Sequence, residues 1–174
     1  YYENTRNQWL QKAEQYKPEL IITEKRPLKV VNIIPDNHSF QKWKVLNVNP
    51  IDSLYNTPFR EKKEVIIDFG EHMTGNFSFS VRSTGLAADG PLKFKLTFGE
   101  VPAEVSVPFD PYPGILSRGW LQDEIVSVMY VPETVNISRR LSFRYVKIEL
   151  LGSSPYYDFN IYDIKCLART SAKN

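Results

Sequence analysis

From Asn76 to Arg82 the side chains alternate cleanly, with Phe77, Phe79 and Val81 on one side and Asn76, Ser78, Ser80 and Arg82 on the other. That two-residue period is the mark of a strand with one wet face. Leu92, Phe94, Leu96 and Phe98 repeat it, and apolar runs rich in β-branched residues recur at Leu20–Ile22, Leu28–Ile34, Phe40–Val48, Glu64–Phe69 and Ile125–Val131. Two further runs change phase midway. Leu141, Phe143 and Tyr145 give way to Val146, Ile148 and Leu150, and Tyr157, Phe159 and Ile161 give way to Ile164 and Cys166. A one-residue shift of the inward face predicts a β-bulge in each. Gly70–Gly75 reads as a turn, Ser83–Pro91 as a hairpin connection, and Pro50–Lys63 as a loop with one helical turn.

Helical spacing occurs once. Asn4 or Thr5 can cap a run in which Trp9, Leu10, Ala13 and Tyr16 share a face and Pro18 stops the chain. Such an apolar stripe must pack on the body of the protein or on a neighbour. Nine or ten strands, one helix and no βαβ alternation predict an all-β fold, an antiparallel jelly-roll-type β-sandwich with one short N-terminal helix. The expected divisions are 1–19 for the helix and lead-in, 20–169 for the sandwich, and 170–174 for the start of a linker. The absence of Met before Tyr1 suggests a trimmed piece.

The 174 residues suffice for one well-filled core. The formal net charge is +2, with the basic residues spread along the chain, so no nucleic-acid footprint is expected. No apolar run is long enough to span a bilayer. The single cysteine, Cys166, sits in an alternating apolar run and reads as a small buried hydrophobe.

Little in the sequence suggests catalysis. His38 and His72 stand in separate turns, no zinc spacing joins them, and there is no GxSxG, Walker or GxGxxG motif. No cofactor is expected; for calcium, Asp110, Asp123 and Glu124 are candidates without a calcium-loop pattern. The chemistry-bearing stretch is Phe98–Glu124, a long connection with four prolines, three glycines, five acidic residues, one Arg and Trp120. Connections this long are usually functional or docked. Trp120, Arg118, Tyr112, Glu100, Glu104 and Asp110 are the candidate carbohydrate-binding residues: rings stack on a sugar face while charged groups bond its hydroxyls. Against this stands a structural reading, with Trp120 plugging one end of the sandwich and the two glutamates bonding backbone amides or Arg118. Paired carboxylates could also hydrolyse a glycosidic bond, but a general acid needs a partly apolar cleft to hold its proton, and a lone sandwich offers shallow faces.

Three segments resemble bacterial α-L-rhamnosidases. Ile67-Asp68-Phe69-Gly70-Glu71-His72-Met73-Thr74-Gly75 is similar to that family's "DFGQNMAGW" run, Leu96-Thr97-Phe98-Gly99-Glu100-Val101 to "RYAEVL", and Ser142-Phe143-Arg144-Tyr145-Val146-Lys147-Ile148 to "GFRYVEV". They keep the family's order and cover about Glu64–Leu150. The resemblance implies an accessory β-sandwich preceding an (α/α)6 catalytic barrel, in a secreted or periplasmic enzyme of a polysaccharide-degrading bacterium. The implied partners are that barrel and a rhamnose-containing glycan. The family's catalytic acids lie on the barrel and none is carried over. Pro102–Pro108 replaces an Asp- and Gly-rich loop, and Ser142 replaces a glycine. Within the matched segments Gly70 and Gly75 are expected to take positive φ, and Arg144 and Tyr145 to tie down the long connection, Arg144 by pairing with Glu100. A carbohydrate-binding module, a complete enzyme and an adhesion domain are the other functional readings of the same pattern.

Overall fold

The computed structural model describes all residues except 86, 109–110, 113–114, 116–117 and 173–174, and excludes the side chain of Arg118. In chain order the elements are α1 (Tyr2–Gln15), β1 (Ile21–Lys25), β2 (Lys29–Pro35), β3 (Trp43–Pro50), α2 (Asp52–Tyr55), β4 (Glu64–Thr84), β5 (Leu92–Gly99), α3 (Pro102–Ser106), β6 (Asp123–Val128), β7 (Glu133–Asn136), β8 (Leu141–Gly152) and β9 (Asp158–Thr170). All the strand pairings are antiparallel.

The long strand β4 organises the architecture. Its first half pairs with β8 and β2, its second half with β9 and β7, and Gly75 is in register with both Leu141 of β8 and Ala168 of β9. One layer therefore runs β3-β2-β4-β8-β5-β6 and the other β1-β9-β4-β7. The chain passes between them along β4, giving an all-β antiparallel sandwich. Gly70–Gly75 is thus not a turn between two strands but an irregular stretch within one, where five steps on β4 match two on β8. Nor is 83–91 a hairpin connection: β4 and β5 are not paired, and this segment carries the chain from one layer to the other.

Phenylalanine rings meeting edge to face fill the space between the layers. Phe77 of β4 packs on Phe98 at 5.2 Å and Phe143 at 6.1 Å, and Phe94 of β5 packs on Phe79 at 5.6 Å and Phe159 at 5.7 Å. Such pairs add to the gain from burial alone. Leu54 and Phe59 close one side of this core. The bulge expected in the last strand is present: between Ser78 and Ser80 two steps on β4 match three on β9, so Phe79 faces both Asp163 and Ile164, and Asp163 takes φ +47°. That extra residue returns Ile164 and Cys166 to the core side, both fully buried. In β8 the inward face also shifts, with Phe143 and Val146 in the main core and Tyr145 in a smaller cluster on the other face.

The thiol of Cys166 lies within this core, and burial pushes its pKa up to about 11. The thiolate is the reactive form, so the native protein should not be modified by Ellman's reagent at pH 8 and should react once unfolded in urea. Fast native labelling would contradict this packing.

α1 lies two residues earlier at each end than the 4–17 pattern, and its N-cap is Tyr1 rather than the expected Asn4 or Thr5, which lie inside the helix. None of its residues is buried, so its apolar stripe does not pack on the sandwich.

Candidate functional site

The 99–124 connection starts with α3. Pro102 opens this short helix, and the Glu104 carboxylate turns back to accept the backbone N–H groups of Glu100 at 2.6 Å and Val101 at 3.4 Å. These are donors that a helix start leaves unpaired. Glu104 therefore serves the backbone, as the structural reading of that residue expects. Val105 turns inward and joins Val31 and Tyr145 in the small cluster on the outer face of the first layer. Gly99 permits this approach, since a Cβ there would lie 2.9 Å from both the Glu104 Cβ and a Val105 methyl.

Beside this cluster sits a tightly held polar group. Asp68, 1% exposed, accepts the Arg144 guanidinium in fork geometry at 2.9 and 3.1 Å and the Gly70 N–H at 2.7 Å, with Lys29 Nζ at 3.9 Å. Burial alone would push the Asp68 carboxyl up. The Arg144 and Gly70 hydrogen bonds, with the charges of Arg144 and Lys29, outweigh it and hold the group below the ordinary carboxylate range. The expected Arg144–Glu100 pair is therefore not formed. Arg144 binds Asp68, and Glu100 instead approaches His72 Nε2 at 3.4 Å, both side chains about half exposed. Tyr145 does reach the long connection, by packing with Val105. Of the two glycines, Gly70 takes φ +84° and Gly75 does not take positive φ. Gly75 is needed for contact instead: a Cβ would stand 2.3 Å from the Leu167 carbonyl oxygen.

The other candidates stand apart from this cluster. Trp120 ends a short 3-10 turn and is 77% exposed, and Tyr112 is half-buried. Among the described residues no hydrogen bond or ring contact joins either to Glu100 or Glu104. Asp110 lies outside the described residues, as does the Arg118 side chain, so the proposed grouping of ring, guanidinium and carboxylates is seen only at its two ends. Of the calcium candidates, Glu124 is paired with Arg139 at 2.8 Å. Among the described residues no three His, Cys, Asp or Glu side chains converge as metal ligands.

One feature the sequence did not reveal is an open cleft of about 500 Å³ between the β1–β9 pair and the irregular stretch of β4. Thr23, Lys25, Glu71, His72, Thr74 and Arg169 contribute to its walls, and Lys25 and Glu71 are paired at 2.7 Å. Hydroxyls and charges beside Ile21 and Met73, with His72 the one ring and no Trp, Tyr or Phe, suit mixed contacts to another surface better than sugar stacking. The signal for it, Glu71-His72 beside two glycines, reads in sequence as a solvated turn.

The fold and its motif residues define an antiparallel sandwich in which Asp68 of the 67–75 segment is clamped by Arg144 of the 142–148 segment. Residues 27–168 match the family described as glycosyl hydrolase family 78 alpha-rhamnosidase N-terminal domain, and the chain belongs to that family. It is similar to a rhamnosidase from Klebsiella oxytoca, solved with rhamnose bound, at 33% identity and a TM-score of 0.91. The match covers 97% of this chain and 33% of that one. It also matches a GH78 family rhamnosidase of Bacillus sp. GL1 at 16% identity and a TM-score of 0.44, over 64% of this chain and 10% of that one; this likeness adds nothing to the argument. No match is found among proteins of curated function. The chain spans about one third of the length of the Klebsiella enzyme.

Proposed function

We propose that this chain is the non-catalytic N-terminal sandwich of a longer α-L-rhamnosidase, a glycoside hydrolase acting outside the cytoplasm, and that it supports a catalytic domain borne by the rest of the polypeptide. The observation that carries this reading is the near-complete superposition on one third of a rhamnosidase. The site chemistry agrees with it. Among the described residues the carboxyl groups with a clear shift, Asp36, Asp68 and Asp163, are all held below the ordinary range. Each is thereby kept ionised, the opposite of what a general acid requires. In this reading the 99–124 connection contributes to the substrate side of the neighbouring domain, with exposed Trp120 as its candidate contact.

The test is hydrolysis of an aryl α-L-rhamnoside. Residues 1–174 should release no aryl alcohol above the buffer rate and give a flat calorimetric titration with millimolar rhamnose, while the longer polypeptide turns over. Hydrolysis by residues 1–174 alone would make the sandwich catalytic and end this reading. A saturable titration would instead make it a sugar-binding module.

A further inference from the structure

Helix α1 carries an aromatic face that this fold leaves in solvent. Tyr2 and Trp9 of α1 and Tyr16, the residue that caps its C-terminus, are spaced by seven residues, two helical turns, so they follow one side of the helix with Ala13 between the last two. Their exposures are 77%, 69% and 77%. Tyr1, Tyr2, Thr5, Arg6 and Trp9 line a concavity of about 250 Å³ on that side. A fourteen-residue helix is marginal in water by itself and depends on packing of its apolar face. The match to the Klebsiella structure extends into this helix: coverage of 97% of 174 residues leaves about five unmatched, fewer than α1 contains.

The sheet register says which surface is near enough to cover it. β1, which follows α1 after a short lead-in, pairs Ile21 with Thr170, the last residue of β9. The start of the strand that follows the helix and the point where the chain leaves the sandwich are therefore adjacent strand partners. Whatever follows Thr170 is tethered within reach of the 16–20 lead-in of α1, at the effective concentration of an intramolecular partner. A second copy of the chain would lack that advantage. Three aromatic side chains bury roughly 450–750 Å², at or below the low end of the roughly 600–1,000 Å² per partner that stable associations of separate molecules bury.

We propose that α1 is a docking strap: its Tyr2–Trp9–Tyr16 face seats in an apolar groove of the domain that follows Thr170 in the same polypeptide, with Arg6 at the rim meeting an acidic group. This rests on the reading of the chain as the N-terminal part of a longer hydrolase, and it names the element that joins the two parts. Amide hydrogen exchange on the longer polypeptide tests it, alongside residues 1–174. In the longer protein the amides of residues 6–15 should exchange at least tenfold more slowly than in residues 1–174. The double variant Trp9→Ser/Tyr16→Ser should abolish that difference while leaving protection of β4, β8 and β9 unchanged. Equal exchange in the two lengths, protection retained by the double variant, or protection that fades on dilution, as a second copy would give, each overturns the strap. Rhamnoside hydrolysis by the same preparation separates the two ideas. Activity with an unprotected helix removes the strap alone, and a protected helix without activity removes the rhamnosidase reading alone. A reading frame that ends at Asn174 removes both.

Discussion

Gly75→Val should destabilise the sandwich by about 3 kcal/mol or more, the upper end for overpacking in a filled interior, and lower Tm by about 6–12 °C for a chain of this length. The reason is the crossing that β4 makes. At Gly75 the strand is paired with β8 on one side and β9 on the other. A first side-chain carbon there would fall 2.3 Å from the Leu167 carbonyl oxygen and 2.6 Å from the Cys166 sulfur. The first of these is backbone inside a ladder, so it cannot swing aside as a long side chain could. Relief requires β4 and β9 to separate where Phe77 and Cys166 are opposed in register. Gly70 gives the useful contrast. Its φ of +84° strains any replacement, but the atom a Cβ would meet is the tip of the exposed Leu28 side chain, which can move. Chemical unfolding of the two variants should therefore rank Gly75→Val well below Gly70→Ala. Equal midpoints would mean that the layers do not close on Gly75 as described.

Much of this was legible from local pattern. Strands such as β5 and β9 announce themselves because one face is buried and the other is wet, and the phase change between Ile161 and Ile164 located a real bulge at Asp163. What local pattern cannot supply is the partner of each segment. Gly70 and Gly75 look like turn residues, yet the chain runs through them as one strand shared by two layers, because glycine also marks places where backbone must approach backbone. The four residues of β7 have too little alternation to stand out and are defined by pairing with Ser78–Val81. α3 forms because Glu104 reaches back to its start and Val105 finds Tyr145 and Val31, a contact made across the whole sheet. Arg144 is the sharpest case. The motif containing it was visible and its need for a carboxylate was foreseen, but the nearest acid in the recognised pattern was Glu100, and the one the register delivers is Asp68, opposite Tyr145 on the neighbouring strand.

That pairing has a measurable consequence. Arg144→Met removes the two guanidinium bonds and leaves Asp68, 1% exposed, with only the Gly70 N–H and a Lys29 ammonium at 3.9 Å. Losing one partner of a buried pair costs about 3–5 kcal/mol. The lower end, about 3 kcal/mol at pH 7, is expected here because Arg144 is 36% exposed and Lys29 remains. The sign of the pH dependence follows from the direction of the shift. In the native protein the Asp68 carboxyl lies below its unfolded value of about 3.9. Its contribution is thus complete above that value and disappears as pH falls through the folded one. In the variant the guanidinium no longer opposes burial, so the carboxyl moves up and protonation relieves it at a higher pH than in the parent. The stability gap between parent and variant should therefore be widest near pH 7 and shrink steadily toward pH 4. Asp68→Asn/Arg144→Met, which leaves no buried charge, should recover part of the loss at pH 7 and show no such narrowing. Urea midpoints at pH 7, 5.5 and 4 decide the matter, and a gap that stays constant or widens in acid would show that the carboxylate and the guanidinium are not a coupled pair.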